Sequence, residues 1–183
     1  MSRNFLAEIL VRKREMLAQI QRDSSTTRFR EHALEIRRTA APHRLLQALT
    51  SKSQRLKIIA EFKRRSPSAG IIRADLSPGN IAHQYQRGGA CAISVLTDET
   101  YFGGSIADLR AVRSSTHLPI LRKDFIIDPI QIYEAAIAGA DAVLLIAAAV
   151  DDRSLRDLRR LLKTNLDSMR SLKSTHLASC VAR

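Results

Sequence analysis

With 183 residues, 45% of them hydrophobic and 26% charged, the chain can bury one sizeable core and has the composition of an ordinary globular protein, not of a disordered tail. Its two cysteines, Cys91 and Cys180, sit in no metal-ligand spacing, which argues against a disulfide framework and a zinc site. No stretch has the ~20 apolar residues of a bilayer span or the apolar segment of a signal peptide, so a cytoplasmic location is expected.

The net charge of +12 divides into +8 over residues 1–60, zero over 61–150 and +4 over 151–183. With 4% aromatics and no Trp, the basic flanks lack the stacking side chains of a single-strand binder. Phe5, Leu6, Ile9, Leu10, Leu17 and Ile20 recur at helical spacing and predict an amphipathic helix. Ser24-Ser25-Thr26-Thr27 breaks it, a second helix runs to about Arg38, and a short third one after Ala41-Pro42 holds Leu45, Leu46 and Leu49. Residues 1–56 therefore read as an N-terminal helical extension. From residue 57 the pattern changes. Strands are predicted at 57–63, 90–97, 118–123 and 141–147, with helices near 78–88, 105–114, 130–138 and 152–162. Such alternation means parallel βα units with right-handed crossovers. Periodicity leaves a doubly wound sheet and a (β/α)8 barrel both open; the lack of a glycine fingerprint directly after a strand favours the barrel.

Two predicted strands end on charge. Ile58-Ile59-Ala60-Glu61-Phe62-Lys63 and Leu118-Pro119-Ile120-Leu121-Arg122-Lys123-Asp124-Phe125 are apolar runs that stop on carboxylates, ammoniums and an aromatic. Buried parallel strands bring such ends to the edge where ligands bind. Glu61 and Lys63, two apart, share one side of their strand. A lysine there can hold a carboxylate or phosphate, a glutamate can accept a proton, and Lys123 can serve as general acid. The plainer interpretation is a structural ion pair for Glu61 and Lys63 and a solvated strand end for Lys123 and Asp124. Ser66, in Ser66-Pro67-Ser68-Ala69-Gly70, offers a hydroxyl after the first strand. Phe102 and Phe125 put aromatics in the loops after the second and third, to cover an aromatic substrate or pack beneath a loop. The five histidines form no i, i+4 pair and are assigned no role.

Five segments in order, Ile59-Ala60-Glu61-Phe62-Lys63-Arg64-Arg65-Ser66-Pro67-Ser68, Ala92-Ile93-Ser94-Val95-Leu96-Thr97-Asp98, Tyr101-Phe102-Gly103-Gly104-Ser105, Pro119-Ile120-Leu121-Arg122-Lys123-Asp124-Phe125 and Gly139-Ala140-Asp141-Ala142-Val143-Leu144-Leu145-Ile146, closely resemble indole-3-glycerol-phosphate synthases. The resemblance covers roughly residues 1–160. It implies an α/β fold of the (β/α)8 TIM-barrel family with a helical extension, here an incomplete barrel of about four βα units over 57–162, with no metal and no organic cofactor. It also implies a carboxy-lyase of tryptophan biosynthesis. The substrate would be 1-(2-carboxyphenylamino)-1-deoxyribulose 5-phosphate, closed to indole-3-glycerol phosphate with loss of carbon dioxide and water. By the same resemblance Lys123 is the general acid and Glu61 supports proton transfer. Lys63 holds anionic groups, Ser66 lines the pocket, and Phe102 and Phe125 pack on the anthranilate ring.

The chain departs from that family after Leu162, so residues 163–183 are expected to be an unrelated tail left by a truncation or frame shift. A full barrel needs about 250 residues. The family's base and phosphate loops are therefore expected to be missing, which predicts an inactive or weakly active fragment that self-associates through open barrel edges. The expected partner is a small phosphorylated substrate, with neither membrane nor nucleic acid. An alternative of another class is a non-catalytic basic protein whose N-terminal helices bind nucleic acid or an acidic partner, recognisable by a steep salt dependence.

Overall fold

Three helices precede any strand: α1 (Phe5–Asp23), α2 (Thr26–Arg38) and α3 (Arg44–Thr50). The computed structural model describes residues 5–23, 26–52, 56–164, 166 and 169–174, with the side chains of Asp23 and 170–174 left aside. After α3 come β1 (Ile59–Phe62), a small antiparallel pair β2 (Arg65–Ser66) and β3 (Gly70–Ile71), then α4 (Pro78–Arg87) and β4 (Ala92–Leu96). The short α5 (Glu99–Phe102) and α6 (Ile106–Ser115) lead to β5 (Ile120–Lys123), α7 (Pro129–Ile137) and β6 (Ala142–Ile146). A 3-10 turn at Ala147–Ala149, α8 (Asp152–Thr164) and β7 (Arg170–Ser174) follow.

The main sheet has five strands in the order β1-β4-β5-β6-β7, and every neighbouring pair is parallel. Each new strand is thus added on the same side of the last. A doubly wound sheet reverses that direction to place helices on both faces; a sheet that never reverses keeps its crossover helices on one face and curls toward a barrel. The packing agrees. Phe62, Ile93, Val95, Ile120, Val143 and Leu145 form one core with Ala82 of α4, Leu109 and Val112 of α6, Ile132 and Ala136 of α7 and Leu155 and Leu158 of α8. The residues between them in sequence face the other way. On that concave side Leu45 of α3 packs with Ala92, Leu121 and Ala142 at the amino ends of the strands. At the carboxyl ends Ile9 and Leu10 of α1 pack with Phe125, Ile146 and Ala149. The helical extension therefore touches both ends of the sheet.

Local chemistry explains where the helices start. Asp128 accepts from the Ile130 N–H at 2.8 Å while Gln131 Oε1 accepts from the Asp128 N–H at 3.1 Å, a reciprocal cap followed by Pro129 in the first turn. Ser105 caps α6 by accepting from the Asp108 N–H at 3.1 Å.

Three elements were not expected from the sequence: the β2–β3 hairpin, α5, and β7. The last lies in the segment set apart from residue 163. Its pairing runs from Ala142↔Arg170 to Ile146↔Ser174. Leu166 and Met169, each 1% exposed, sit in the main core just before it. With one apolar residue among Arg170-Ser171-Leu172-Lys173-Ser174, the strand gives no hydrophobic signal. Residues 175–183 of the expected tail, including His176 and Cys180, lie outside the described residues.

Candidate active site

Parity and register bring the charged strand ends together. On β1, Phe62 points to the helices, so Glu61 and Lys63 turn to the concave face. On β5, Ile120 faces the helices, and Leu121 and Lys123 share the concave side. Lys63 Nζ lies 2.7 Å from Glu61 Oε1, and Lys123 Nζ crosses the intervening β4 to donate to Glu61 Oε2. One carboxylate thus joins two ammoniums at the carboxyl ends of two parallel strands. The three side chains are 15–25% exposed, enough to be reached and buried enough for their charges to be felt. Burial alone would push Glu61 up, but hydrogen bonds from Lys123 and Lys63 and their charges outweigh it, so its pKa lies below the ordinary value. Glu61 is therefore ionised at neutral pH, and the trio carries a net positive charge suited to an anion.

An aromatic pair follows the carboxyl ends of β4 and β5. Phe102 and Phe125 have ring centroids 6.4 Å apart at an interplanar angle of 36°. Both belong to the cluster that Leu6, Ile9 and Leu10 of α1 complete, and Phe125 is only 4% exposed. Phe102 is set in place by α5, whose amino end is capped by Asp98 through the Tyr101 N–H at 2.8 Å. The following Gly103-Gly104 is obligatory for this path. Gly103 adopts φ +63, and a Cβ on Gly104 would stand 2.0 Å from the Leu96 carbonyl oxygen.

Ser66 is placed differently. Its hydroxyl accepts from the Ala69 N–H at 3.1 Å and lies 3.4 Å from the Ser68 hydroxyl, which ties it into the hairpin turn. The hairpin is fastened to the loop after β4. Arg64 makes a bidentate pair with Asp108 at 2.6 and 2.8 Å and donates to the Gly103 carbonyl at 3.1 Å, and Arg65 donates to the Thr100 carbonyl.

The strand end at Asp124 is not solvated. Its carboxylate has no exposed side-chain surface; it accepts from the Phe125 N–H at 2.8 Å, the Thr97 hydroxyl at 2.7 Å and Arg122 at 3.1 Å, and pairs with Lys13 of α1 at 2.7 Å. Lys13 also pairs with Asp98 at 3.1 Å, and Arg122 with Glu134 at 2.7 Å. Burial pushes Asp124 up, yet the charges of Arg122 and Lys13 and the hydrogen bonds from Lys13 and Thr97 outweigh it and hold it at about 2. Lys13 thus locks α1 to the residues flanking Lys123 and Phe125. The sequence did hold a signal for it: Lys13 falls four residues after Ile9 and four before Leu17, on the apolar stripe of α1. A charge on a buried stripe requires a partner.

Among the described residues no group of three or more His, Cys, Asp or Glu is placed to hold a metal ion, and no helix is long and apolar enough to cross a membrane.

A family model described as indole-3-glycerol phosphate synthase matches residues 6–171, past the point at 163 where the resemblance was expected to end. The indole-3-glycerol phosphate synthase of Chlorobium luteolum is 47% identical over 165 residues, which are 89% of this chain and 62% of that relative. The protein of the same name from Aromatoleum aromaticum is 50% identical over 126 residues, 68% of this chain and 48% of the relative. That from Rhodopirellula baltica is 46% identical over 153 residues, 84% and 58%. The chain therefore spans less than two thirds of the length of these relatives.

Proposed function

The chain belongs to the indole-3-glycerol phosphate synthase family, and from that we propose that its strand-end trio takes part in closing 1-(2-carboxyphenylamino)-1-deoxyribulose 5-phosphate to indole-3-glycerol phosphate, with loss of carbon dioxide and water. The observation that carries this reading is the Glu61 carboxylate shared by Lys63 and Lys123. Lys123 is the general acid: its ammonium donates to the sugar carbonyl oxygen as the ring closes. A fixed donor on an oxygen that gains charge is worth roughly 3 kcal/mol in a dry site. Glu61 draws both ammoniums to one carboxylate and supports proton transfer. Lys63 holds an anionic group of the substrate, and Ser66 lines the approach from the hairpin. Phe102 and Phe125 offer the apolar wall for the anthranilate ring, with α1 behind them.

Among the described residues β1 and β7 are the outermost strands of the parallel sheet. An outermost strand with an unpaired edge favours self-association. The basic-surface alternative gains less from the structure. Lys13, Arg37 and Arg44 of the helical extension make buried or partly buried bonds to Asp98, Asp124, Asp141 and the Ala140 carbonyl, so the charge of +8 over residues 1–60 overstates what faces solvent.

The test is calorimetric binding of the substrate together with fluorescence detection of indole-3-glycerol phosphate. We expect saturable binding that Lys63→Ala and Lys123→Ala each weaken at least ~10-fold, as loss of a charged hydrogen bond implies. Affinity indifferent to both lysines, or a salt dependence as steep as that of a polyphosphate surface, would refute the reading.

A further inference from the structure

Ser94 is left over by everything described so far. It is 4% exposed, and its Oγ is the buried side-chain polar atom, among the described residues, that has no hydrogen-bond partner. Buried hydroxyls almost always find one, because an unmet one forfeits its bonds to water. Its direction is settled by its neighbours. Ile93 and Val95 belong to the core beneath the helices, so Ser94 turns to the concave face, as Ala92 does beside Leu45 and Leu121. Its height is settled by register: Ser94 is level with Glu61 of β1 on one side and Leu121 of β5 on the other. Neighbouring strands are about 4.8 Å apart, so same-facing side chains at one level stand side by side. The Lys123–Glu61 bond spans β4, the strand on which Ser94 sits.

We infer that Ser94 is a substrate-binding residue of this site, its hydroxyl forming a hydrogen bond with an oxygen of the sugar chain held beside Glu61 and Lys123. The inference rests on the proposed function and adds a contact to it. A serine hydroxyl both donates and accepts, which suits a sugar hydroxyl or carbonyl. The aromatic ring has its apolar wall at Phe102 and Phe125, near α1, whereas Ser94 lies deeper along the strands at the level of Glu61.

Ser94→Ala separates this role from a structural one. Removing a hydroxyl with no protein partner leaves folding intact, so the urea midpoint of S94A should equal or exceed that of the unaltered chain. Calorimetric titration with 1-(2-carboxyphenylamino)-1-deoxyribulose 5-phosphate should give a Kd raised roughly 5- to 10-fold. A 2-(alkylamino)benzoate without the sugar chain should bind the variant and the unaltered chain alike. An unchanged Kd for the full substrate, in a protein whose binding Lys123→Ala still weakens, would overturn the role of Ser94 and leave the functional reading standing. A lowered urea midpoint would show that the hydroxyl has a structural partner and would overturn it too. No binding by the unaltered chain would overturn the functional reading and this inference with it.

Discussion

Lys13→Met tests how the helical extension is held over the strand ends. Lys13 Nζ is 2.7 Å from Asp124 and 3.1 Å from Asp98, and none of the three side chains is more than 7% exposed. Removing one partner of a buried ion pair commonly costs ~3–5 kcal/mol, because the remaining charge is stranded. Asp124 would keep Arg122, the Thr97 hydroxyl and the Phe125 N–H, and Asp98 would keep the Tyr101 N–H. Met retains most of the apolar stem. The expected loss therefore falls at the lower end, about 3 kcal/mol, and with a urea slope of ~1–3 kcal/mol per M the midpoint should drop by at least ~1 M. Arg14→Met, one residue along on the exposed face, is the control and should cost under ~0.5 kcal/mol. Acid adds a second readout. Asp124 lies at about 2 in the fold against an ordinary 3.8, so its contribution is complete above the ordinary value and is lost as pH falls toward 2. Without Lys13 the folded value rises, and acid unfolding should begin at a higher pH. A urea midpoint of K13M equal to that of R14M, with an unmoved acid limb, would refute the reasoning.

Gly104→Ala would drive a Cβ against the Leu96 carbonyl; since the obstacle is backbone, a loss of at least ~2 kcal/mol in thermal unfolding is expected, and an unchanged Tm would contradict the tight turn. Asp141, 2% exposed, accepts from Arg44 at 3.0 Å, Arg113 at 3.2 Å and the Ile120 N–H at 2.9 Å, so Asp141→Ala should cost ~3–5 kcal/mol in urea denaturation; a shift under 1 kcal/mol would count against the network. Glu61 should titrate below its ordinary value in a carboxyl-carbon NMR titration. The stability from its ionised form is present above that ordinary value and is lost as pH falls through the folded pKa. Lys123→Ala should move its midpoint up, and a midpoint at or above the ordinary value in the intact chain would argue against the shared carboxylate.

The strands at β4, β5 and β6 were legible because most of their residues are buried, which gives near-continuous apolar runs such as Ala142–Ile146, and β1 was legible from the apolar run Ile58-Ile59-Ala60 that leads into it. Helices α4, α6 and α7 were legible from caps and prolines that act within one turn. The meeting of Glu61 with Lys63 was foreseeable, since both lie on one side of one strand. That of Glu61 with Lys123, 62 residues apart, rests on the order of strands in the sheet. The burial of Asp124 was missed because Lys13, 111 residues earlier in number, supplies part of its compensation. No local pattern announces a partner contributed by another element.

Composition, apolar runs and turn residues determined an α/β chain with a helical leader, and the residues at the ends of its strands determined which charges were available for chemistry. Only the tertiary structure decided that the sheet winds in one direction, that Arg170–Ser174 joins it as a fifth strand, and that one carboxylate joins two lysines above an unpaired serine. Propensity acts over a few residues. Strand order, register and the sharing of buried charge are settled by contacts between segments far apart in the chain, where the stability of each arrangement depends on all the others.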